Sequence, residues 1–434
     1  MLVSTTETPG GGKAEGPLVA RHELLPFSLV TSLFFLWGVP NNLNDVLIRQ
    51  FMKSFAITRF EGGLVQSAFY FGYFVLAIPA ALLMRKYGYK AGLVAGLLLF
   101  TTGTWLFWPA AYAGRYSFFL LALFVIASGL SFLETAANPL VTQLGTARSA
   151  ARRLNVAQAF NPLGSITGVL VGTIFIFSGV ELTPVQVHAM EVAHTYQAYL
   201  QRETVRVVAP YLVLGALALV MAVVILRTKF PVIRSEHEDS GDHGSFRTLL
   251  RDGNFLAAVF AQFMYVGAQV GTWSYFIQYV QDYTQRPEKI AGYFLTGTLA
   301  AFAVGRFIAS LAMKRIAPRA LMGMYAIANV LLVAIGILAP GWIGLWALFS
   351  TSFFMSLMFP TIFALGLAGL GPNTKIGGSL LVMAIIGGAV LTPLMGLISQ
   401  TSHSIAVAYA VPMASYVAVA LFAYLGGRRR IAEG

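Results

Sequence analysis

The sequence contains no cysteine, so disulfide frameworks, thiolate metal sites and cysteine nucleophiles are excluded. Charged residues are also scarce, at 11% of 434 residues against roughly 25% in an ordinary soluble domain, too few to cover a water-facing surface. Apolar residues instead make up 57% of the chain, and the mean hydropathy is +0.73. Because about 20 apolar residues cross a bilayer as a helix, this content predicts a polytopic helical membrane protein with about twelve spans.

Apolar runs recur at near-regular intervals and predict twelve transmembrane helices in two sets of six. The first set is predicted at 25–51, 61–85, 91–112, 116–144, 153–179 and 207–227. The second set is predicted at 253–282, 290–313, 320–339, 342–370, 376–400 and 404–426. Gly and Pro are frequent inside these runs, which neighbouring helices can accommodate in lipid.

The segments between the runs divide the chain into domains. Residues 1–20 are polar and predict a disordered cytoplasmic tail, and no cleavable signal peptide is expected before the first run. The N-terminal six-helix half is then predicted over 21–227 and the C-terminal half over 253–434, with a charged cytoplasmic linker at 228–252. Residues 180–206 are polar and predict an extracytoplasmic insertion between spans five and six.

A weak internal repeat relates the two sets. Leu83-Met84-Arg85-Lys86, leaving span two, is echoed by Ala312-Met313-Lys314-Arg315, leaving span eight, at an offset of 229 residues. Two pseudo-symmetric six-helix halves joined by a linker are the architecture of the major facilitator transporters. The fold class predicted from the sequence is therefore an all-α membrane protein with the major facilitator fold.

The distribution of basic residues predicts the orientation of the chain. With an even number of spans both termini lie on one side, and 20 of the 29 lysines and arginines fall there, against eight on the other side and Arg306 inside a span. The positive-inside rule therefore places both termini in the cytoplasm of a plasma-membrane protein. The net charge of +12 does not indicate nucleic-acid binding, since no basic patch is interleaved with stacking aromatic residues.

Two acidic residues fall inside the predicted spans and away from their ends: Asp45 in span one and Glu134 in span four. A charged group at mid-membrane costs on the order of 2.5–3.5 kcal/mol on insertion scales, so such residues normally face a cavity or a partner. Asn42 shares a helical face with Asp45, and Asn138 lies one turn after Glu134. Desolvation disfavours the charged form of a carboxyl group, which makes both acids candidates for proton coupling.

Amide and aromatic side chains recur at helical spacing in spans five and seven. Amides and carboxylates suit the hydroxyl groups of a neutral polyol, and aromatic faces suit the C–H face of a sugar ring. The alternative for the amides is a structural role in hydrogen bonds between helices. For Gln269 and Trp273 packing is an equally good interpretation. The candidate substrate contacts are Asp45, Asn42, Asn138, Gln158, Asn161, Trp37, Tyr265, Gln269 and Trp273.

Several other functions lack their sequence signatures. The six histidines lie in loops or near helix ends without paired ligand spacing, so no metal site is predicted. No P-loop motif occurs, which argues against an ATP-driven pump. A membrane-embedded glycosyl- or acyltransferase would need a His/Asp constellation at one membrane face, and none is visible. We therefore expect neither an enzyme nor a cofactor, and a monomer in the lipid bilayer.

Several segments resemble the proton-coupled fucose/glucose/galactose symporter family. They are FFLWGVPNNLNDVL (34–47), QSAFYFGYF (66–74), FLETAANPLVTQLG (132–145), LNVAQAFNPLGS (154–165), AQFMYVGAQVGTWSY (261–275), FPTIFALGLAGLG (359–371) and VMAIIGGAVLTPLMG (382–396). The resemblance implies proton-coupled symport of a hexose-type sugar in a bacterial inner membrane. It also implies that Asp45 binds sugar and gates coupling, that Glu134 is central to proton translocation and that Asn161 contacts sugar.

The chain departs from the resemblance at Arg49, where the family's relatives carry a proline. Arg49 lies four residues after Asp45, so an ion pair could keep Asp45 ionised and leave Glu134 as the sole proton carrier.

The sequence leaves three questions about function open. The identity of the sugar and the choice between H⁺ and Na⁺ are two of them. The third is a proton-coupled drug antiporter of the same fold, whose pocket should be more apolar.

Overall fold

The computed structural model describes residues 19, 23–145, 150–230, 246–313, 315–370 and 373–425. Within these ranges the regular secondary structure is helical, and no strand occurs. Twelve of the described helices are long and apolar enough to cross a membrane. The predicted all-α fold with twelve spans is therefore confirmed. The predicted tail lies outside the described residues except for Val19, and so does most of the predicted linker.

The spans fall into an N-terminal half (spans one to six) and a C-terminal half (spans seven to twelve). The first six are Leu24–Ser54, Arg59–Met84, Lys86–Ala113, Tyr116–Val141, Val156–Ile176 and Tyr196–Arg227. The second six are Gly253–Ser274, Glu288–Ala312, Pro318–Leu338, Trp342–Leu367, Ile376–Ser402 and Ile405–Leu425.

Two predicted boundaries differ clearly from the structure. Span six begins at Tyr196 and not at 207, because a helix at Tyr196–Val205 leads into the helix at Val208–Arg227. The polar side chains of the Tyr196–Val205 helix led to the prediction of a loop in this region. Span seven ends at Ser274, where Tyr275 interrupts the helix before a further helix at Phe276–Thr284. The first half of the 180–206 segment contains one short helix, Pro184–Val192.

The two ends of the bundle can be named after span one. The Leu24 end contains the start of this helix, and the Ser54 end contains its last residue. Span two begins at the Ser54 end with a capping box in which the Thr58 side chain and the Glu61 carboxylate satisfy each other's backbone N–H groups. This cap fixes the start of the helix and so positions Arg59 at the Ser54 end.

Helix interruptions border the centre of the bundle in several spans. Span ten is divided at Leu357 between Trp342–Met355 and Met358–Leu367. Span eleven contains a short 3₁₀ segment at Ala384–Ile386. In membrane proteins such irregular backbone is tolerated where it is buried in protein or lines a cavity, and discontinuous helices commonly form transporter sites.

Spans one and five approach each other closely through glycines. A Cβ atom added to Gly164 would lie 2.2 Å from the carbonyl oxygen of Phe35, and one added to Gly168 would lie 2.2 Å from that of Val39. Only glycine permits this separation, and small residues of this kind are typical of tightly packed helices in membranes. Span one, with Asp45, is therefore packed directly against span five, with Asn161.

Candidate functional site

A cavity of about 220 Å³ lies between the two halves. This is below the roughly 300–1,000 Å³ of pockets for drug-sized ligands and suits a smaller molecule. The N-terminal half supplies both carboxyl groups and most polar groups: Asn41, Asn42, Asp45, Gln66, Tyr70, Tyr73, Glu134, Asn161, Pro162 and Ser165. The C-terminal half supplies mainly apolar and aromatic surface: Val266, Gln269, Val270, Trp273, Leu299, Phe302, Arg306, Phe359 and Ile385.

Asp45 is almost completely buried, with 2% of its surface exposed. Its Oδ1 accepts hydrogen bonds from Gln66 Nε2 and from Ser274 Oγ, each at 2.9 Å. Its Oδ2 accepts a hydrogen bond from Asn42 Nδ2 at 3.1 Å. Gln66 Nε2 also lies 2.9 Å from Ser274 Oγ, so the three groups form a triangle. Three neutral donors thus solvate this carboxyl group in place of water.

Glu134 lines the same cavity in a different environment. Within the described part of the chain no side chain hydrogen-bonds or ion-pairs with its carboxyl group, which is only partly buried. The Asn138 amide donates to the backbone oxygen of Glu134 at 3.0 Å and not to the carboxyl group. The two acids therefore divide into one that is held by protein donors and one that is open to the cavity.

The cavity brings together six of the residues singled out in the sequence. They are Asn42, Asp45, Glu134, Asn161, Gln269 and Trp273. The Trp273 indole N–H donates to Ser352 Oγ at 3.0 Å, so its hydrogen-bonding group is satisfied within the protein. The Trp273 ring meets that of Phe302 edge to face, with centroids 5.2 Å apart. Together these two rings form an aromatic corner of the C-terminal wall.

Five other predicted residues lie outside the cavity lining. Trp37 is buried against Phe34, and the Tyr265 hydroxyl donates to the Met355 carbonyl oxygen at 2.8 Å. Gln158 Nε2 donates to Asn138 Oδ1 at 3.3 Å, so these two amides bond to each other. Arg49 forms no ion pair with Asp45 among the described contacts, and its Nε is buried without a hydrogen-bond partner.

Sequence reasoning did not select several residues that line the cavity. The most informative are Gln66, Tyr70, Tyr73, Phe302 and Arg306. The first three lie at spacings of four and three along span two and therefore share a helical face. That spacing, within the segment QSAFYFGYF, was a usable signal. Arg306 was visible as an intramembrane cation, but nothing in the sequence placed its side chain at the cavity.

A buried ionic cluster joins the halves at the Ser54 end. Lys53 Nζ lies 3.0 Å from Glu288 Oε1 and 3.2 Å from Glu203 Oε2, and it donates to Ser178 Oγ at 2.8 Å. The side chain of Glu288 is fully buried and that of Glu203 is 5% exposed. One lysine of span one thus forms an ion pair with a carboxylate from each half.

A second cluster at the same end is centred on Arg59. Its guanidinium pairs with Asp282 and donates to Ser399 Oγ at 2.7 Å. The Tyr275 hydroxyl donates to the backbone oxygen of Arg59 at 2.6 Å. Closer to the cavity, Ser67 Oγ donates to the Ala389 carbonyl oxygen at 2.6 Å. These inter-half contacts lie between the cavity and the Ser54 end, and they close that end.

Two helical halves around a central polar cavity define a membrane transporter of the major facilitator class. Residues 28–374 match the family model described as Major Facilitator Superfamily, and the chain belongs to this family. It is 44% identical to the L-fucose-proton symporter of Escherichia coli over 93% of each chain. It is also 33% identical to a putative glucose/galactose transporter of Helicobacter pylori, covering 93% of this chain and 97% of that one.

Solved structures give the same assignment. The crystal structure of the transporter FucP in the outward conformation is 43% identical, with a TM-score of 0.69, covering 94% of this chain and 100% of that one. A bacterial homologue of the lysosomal transporter Spinster, in an inward-facing conformation, has a TM-score of 0.73 at 15% identity, covering 95% and 98%. The second likeness concerns the fold alone. The resemblance identified in the sequence is confirmed by the curated relatives and FucP.

Proposed function

We propose that this chain is a secondary active transporter that carries a hexose-type sugar together with a proton by alternating access. The observation that carries the proposal is a single cavity between the halves that holds Asp45, Glu134 and Asn161 opposite an aromatic corner. The similarity to L-fucose-proton and glucose/galactose transporters over more than nine-tenths of the chain supports the same class of cargo.

The sugar is held by different chemistry on the two sides of the cavity. Asn161 and Gln269 offer amide donors and acceptors to hydroxyl groups, and both line the cavity. Trp273 and Phe302 offer apolar faces for the C–H side of the ring. We expect Asp45 to take part through its neighbour Asn42, whose amide lies 3.1 Å from the carboxyl group.

We infer that the proton is carried by Glu134, because no described side chain holds its carboxyl group, whereas three donors hold that of Asp45. Protonation removes a negative charge from the membrane interior and lowers the cost of reorienting the loaded carrier. Symport follows if sugar and proton favour the same state, since each ligand then increases the affinity for the other. We expect Arg49 to act on coupling only in a state other than this one, since it makes no ion pair with Asp45 here.

We propose an orientation and a conformation from the charges and the inter-half contacts. The positive-inside rule supports a cytoplasmic Leu24 end, with both termini and the 228–252 linker in the cytoplasm and the part of the 180–206 insertion that precedes span six outside. We propose that the closed Ser54 end belongs to an inward-facing state. The TM-score of only 0.69 with outward FucP, despite 43% identity, supports a different arrangement of the halves.

We propose halves at 21–227 and 253–434 in a monomer of the bacterial inner membrane.

Uptake into proteoliposomes tests the function. Purified protein is reconstituted, and radiolabelled L-fucose, D-galactose and D-glucose are offered under an inward proton gradient, a sodium gradient or neither. We expect at least one sugar to accumulate above its external concentration with the proton gradient, and a protonophore to abolish this. Accumulation with the sodium gradient alone would overturn proton coupling, and failure of all three sugars would overturn the assignment of the cargo.

A further inference from the structure

The hydrogen bonds of Asp45 cross the boundary between the two halves. Asp45 and Gln66 belong to spans one and two, whereas Ser274 is the last residue of the span-seven helix. All three residues are buried, with exposures of 2%, 1% and 0%. The contact therefore lies in the inter-half interface, at the edge of the cavity that Asp45 and Gln66 also line.

We propose that Ser274 is a positioning residue for coupling, whose hydroxyl, together with the Gln66 amide, holds the Asp45 carboxylate against the C-terminal half while the Ser54 end is closed. The link to proton coupling rests on the proposed function. We call the Asp45–Gln66–Ser274 triangle the latch. The latch forms in the inward-facing state alone.

The chemistry of the latch explains why it matters. A carboxylate buried in protein requires donors, and an unsatisfied charged group is costly. Asp45 obtains its three donors from neutral side chains, and one of them comes from the opposite half. Hydrogen bonds to an ionised acceptor are roughly twice as strong as neutral ones, so the latch is strongest while Asp45 is ionised. Loss of the Ser274 donor therefore raises the free energy of the closed arrangement relative to the open one.

The position of Ser274 makes the latch depend on conformation. The next residue, Tyr275, interrupts the helix, and its hydroxyl bonds to the Arg59 backbone oxygen at 2.6 Å. Ser274 and Tyr275 therefore hold two points of the N-terminal half, one beside the cavity and one at the Ser54 end. When the Ser54 end opens, this segment moves away from span two and the Asp45–Ser274 bond breaks.

The latch also assigns different tasks to the two acids. In the closed state Asp45 is held by three donors at the interface, whereas no described side chain holds the Glu134 carboxyl group in the cavity. Glu134 is then the group that exchanges its proton with the cavity on the Leu24 side. Asp45 loses its donor from the C-terminal half when the Ser54 end opens.

Distance measurements between spin labels test the latch directly. The chain has no cysteine, so two introduced cysteines are labelled without background. Tyr112 and Leu338 are 79% and 83% exposed and end spans three and nine on the Ser54 side, one in each half. Pulsed electron paramagnetic resonance on the labelled Tyr112→Cys/Leu338→Cys protein measures the distances between the two labels. These distances give the populations of molecules with a closed and an open Ser54 end.

We expect Ser274→Ala to shift the closed-to-open ratio about tenfold toward the open form, as befits one hydrogen bond to a charged group. Ser274→Thr keeps the hydroxyl and should stay near the unsubstituted protein. Gln66→Met removes the amide that donates to Ser274 across the interface and should shift the ratio in the same direction. In an Asp45→Asn background, Ser274→Ala should add little, because the charged acceptor is already gone.

Three results would overturn the latch: an unchanged ratio in both Ser274→Ala and Gln66→Met, equal shifts in Ser274→Ala and Ser274→Thr, or a full additional shift in the Asp45→Asn background. If one variant fails to fold, as judged by its thermal unfolding, the other still decides. The spin-label measurement tests the latch independently of the uptake assay that tests the proposed function. A protein that shows the expected shifts but accumulates no sugar with a proton gradient keeps the latch and loses the transport assignment.

Discussion

Asp45 and Ser274 occupy equivalent positions in the two halves and hydrogen-bond to each other at 2.9 Å. They are separated by 229 residues, the same offset that relates the repeated segments at 83–86 and 312–315. The pseudo-symmetry axis therefore passes close to this bond, with a carboxylate on one side and a hydroxyl on the other. Placing the acid in only one half gives the symmetric scaffold an asymmetric electrostatic centre.

The substitution Glu134→Gln should separate binding from coupling. The amide keeps the size of the side chain but carries no titratable proton, so we expect gradient-driven accumulation to disappear while sugar exchange across proteoliposomes continues. The exposed Glu191 in the 180–206 segment provides a matched control, and Glu191→Gln should accumulate sugar normally. Retained accumulation in Glu134→Gln would show that another group carries the proton.

The substitution Lys53→Met should open the Ser54 end. It leaves Glu203 and Glu288 buried without their shared cation, and breaking a buried ion pair typically costs about 3–5 kcal/mol. Opening hydrates both carboxylates, so we expect the open population in the spin-label measurement to become dominant. Arg202→Met, at an exposed position beside Glu203, should leave the populations unchanged. Equal populations in Lys53→Met and Arg202→Met would contradict a closing role for the cluster.

The substitution Arg306→Gln should weaken sugar binding without uncoupling transport. Arg306 lines the cavity with its guanidinium 5.2 Å from the Phe302 ring centroid, and it forms no ion pair with a described residue. A charged side chain inside the membrane is costly to insert, so a cation in such a position is a candidate functional residue. Loss of a charged hydrogen-bond donor from the cavity wall should raise KM about tenfold. An unchanged KM in uptake assays would remove Arg306 from the substrate contacts, and Arg306→Lys should have an intermediate KM.

The substitution Gly164→Ala should destabilise the N-terminal half. Its Cβ would lie 2.2 Å from the Phe35 carbonyl oxygen, so spans one and five must separate, at a cost of about 1–3 kcal/mol. We expect a thermal unfolding midpoint several degrees lower, measured by tryptophan fluorescence in detergent. Gly378→Ala is the control, since the nearest atom to its added Cβ is 3.9 Å away. Similar midpoints for the two variants would mean that the interface between the spans is loose.

Much of the architecture was predictable because lipid imposes simple rules on sequence. Span length fixed the number of helices, and the insertion cost of charge drew attention to Asp45 and Glu134. Both residues line the cavity, and so does the predicted Asn161. The resemblance to a transporter family was likewise confirmed by relatives along nearly the whole chain.

The rotation of each helix about its axis was much less predictable. In a membrane, the lipid-facing and protein-facing sides of a helix are both apolar, so hydrophobic periodicity does not identify the buried face. For this reason Trp37 and Tyr265 were expected at the cavity but pack elsewhere, while Tyr70 was overlooked. Contacts between distant segments were also invisible, since Lys53 and Glu288 are 235 residues apart in the chain.

The glycine contacts between spans one and five have a consequence for how cargo is recognised. Gly164 and Gly168 bring the backbones of spans one and five into direct contact, so we expect Asp45 and Asn161 to move together. The spacing of polar groups presented to a sugar by the N-terminal half is then the same whichever side of the membrane is open. Stereochemical selection is thereby expected to be identical during loading and unloading, and only the moving C-terminal wall decides when the cargo can leave.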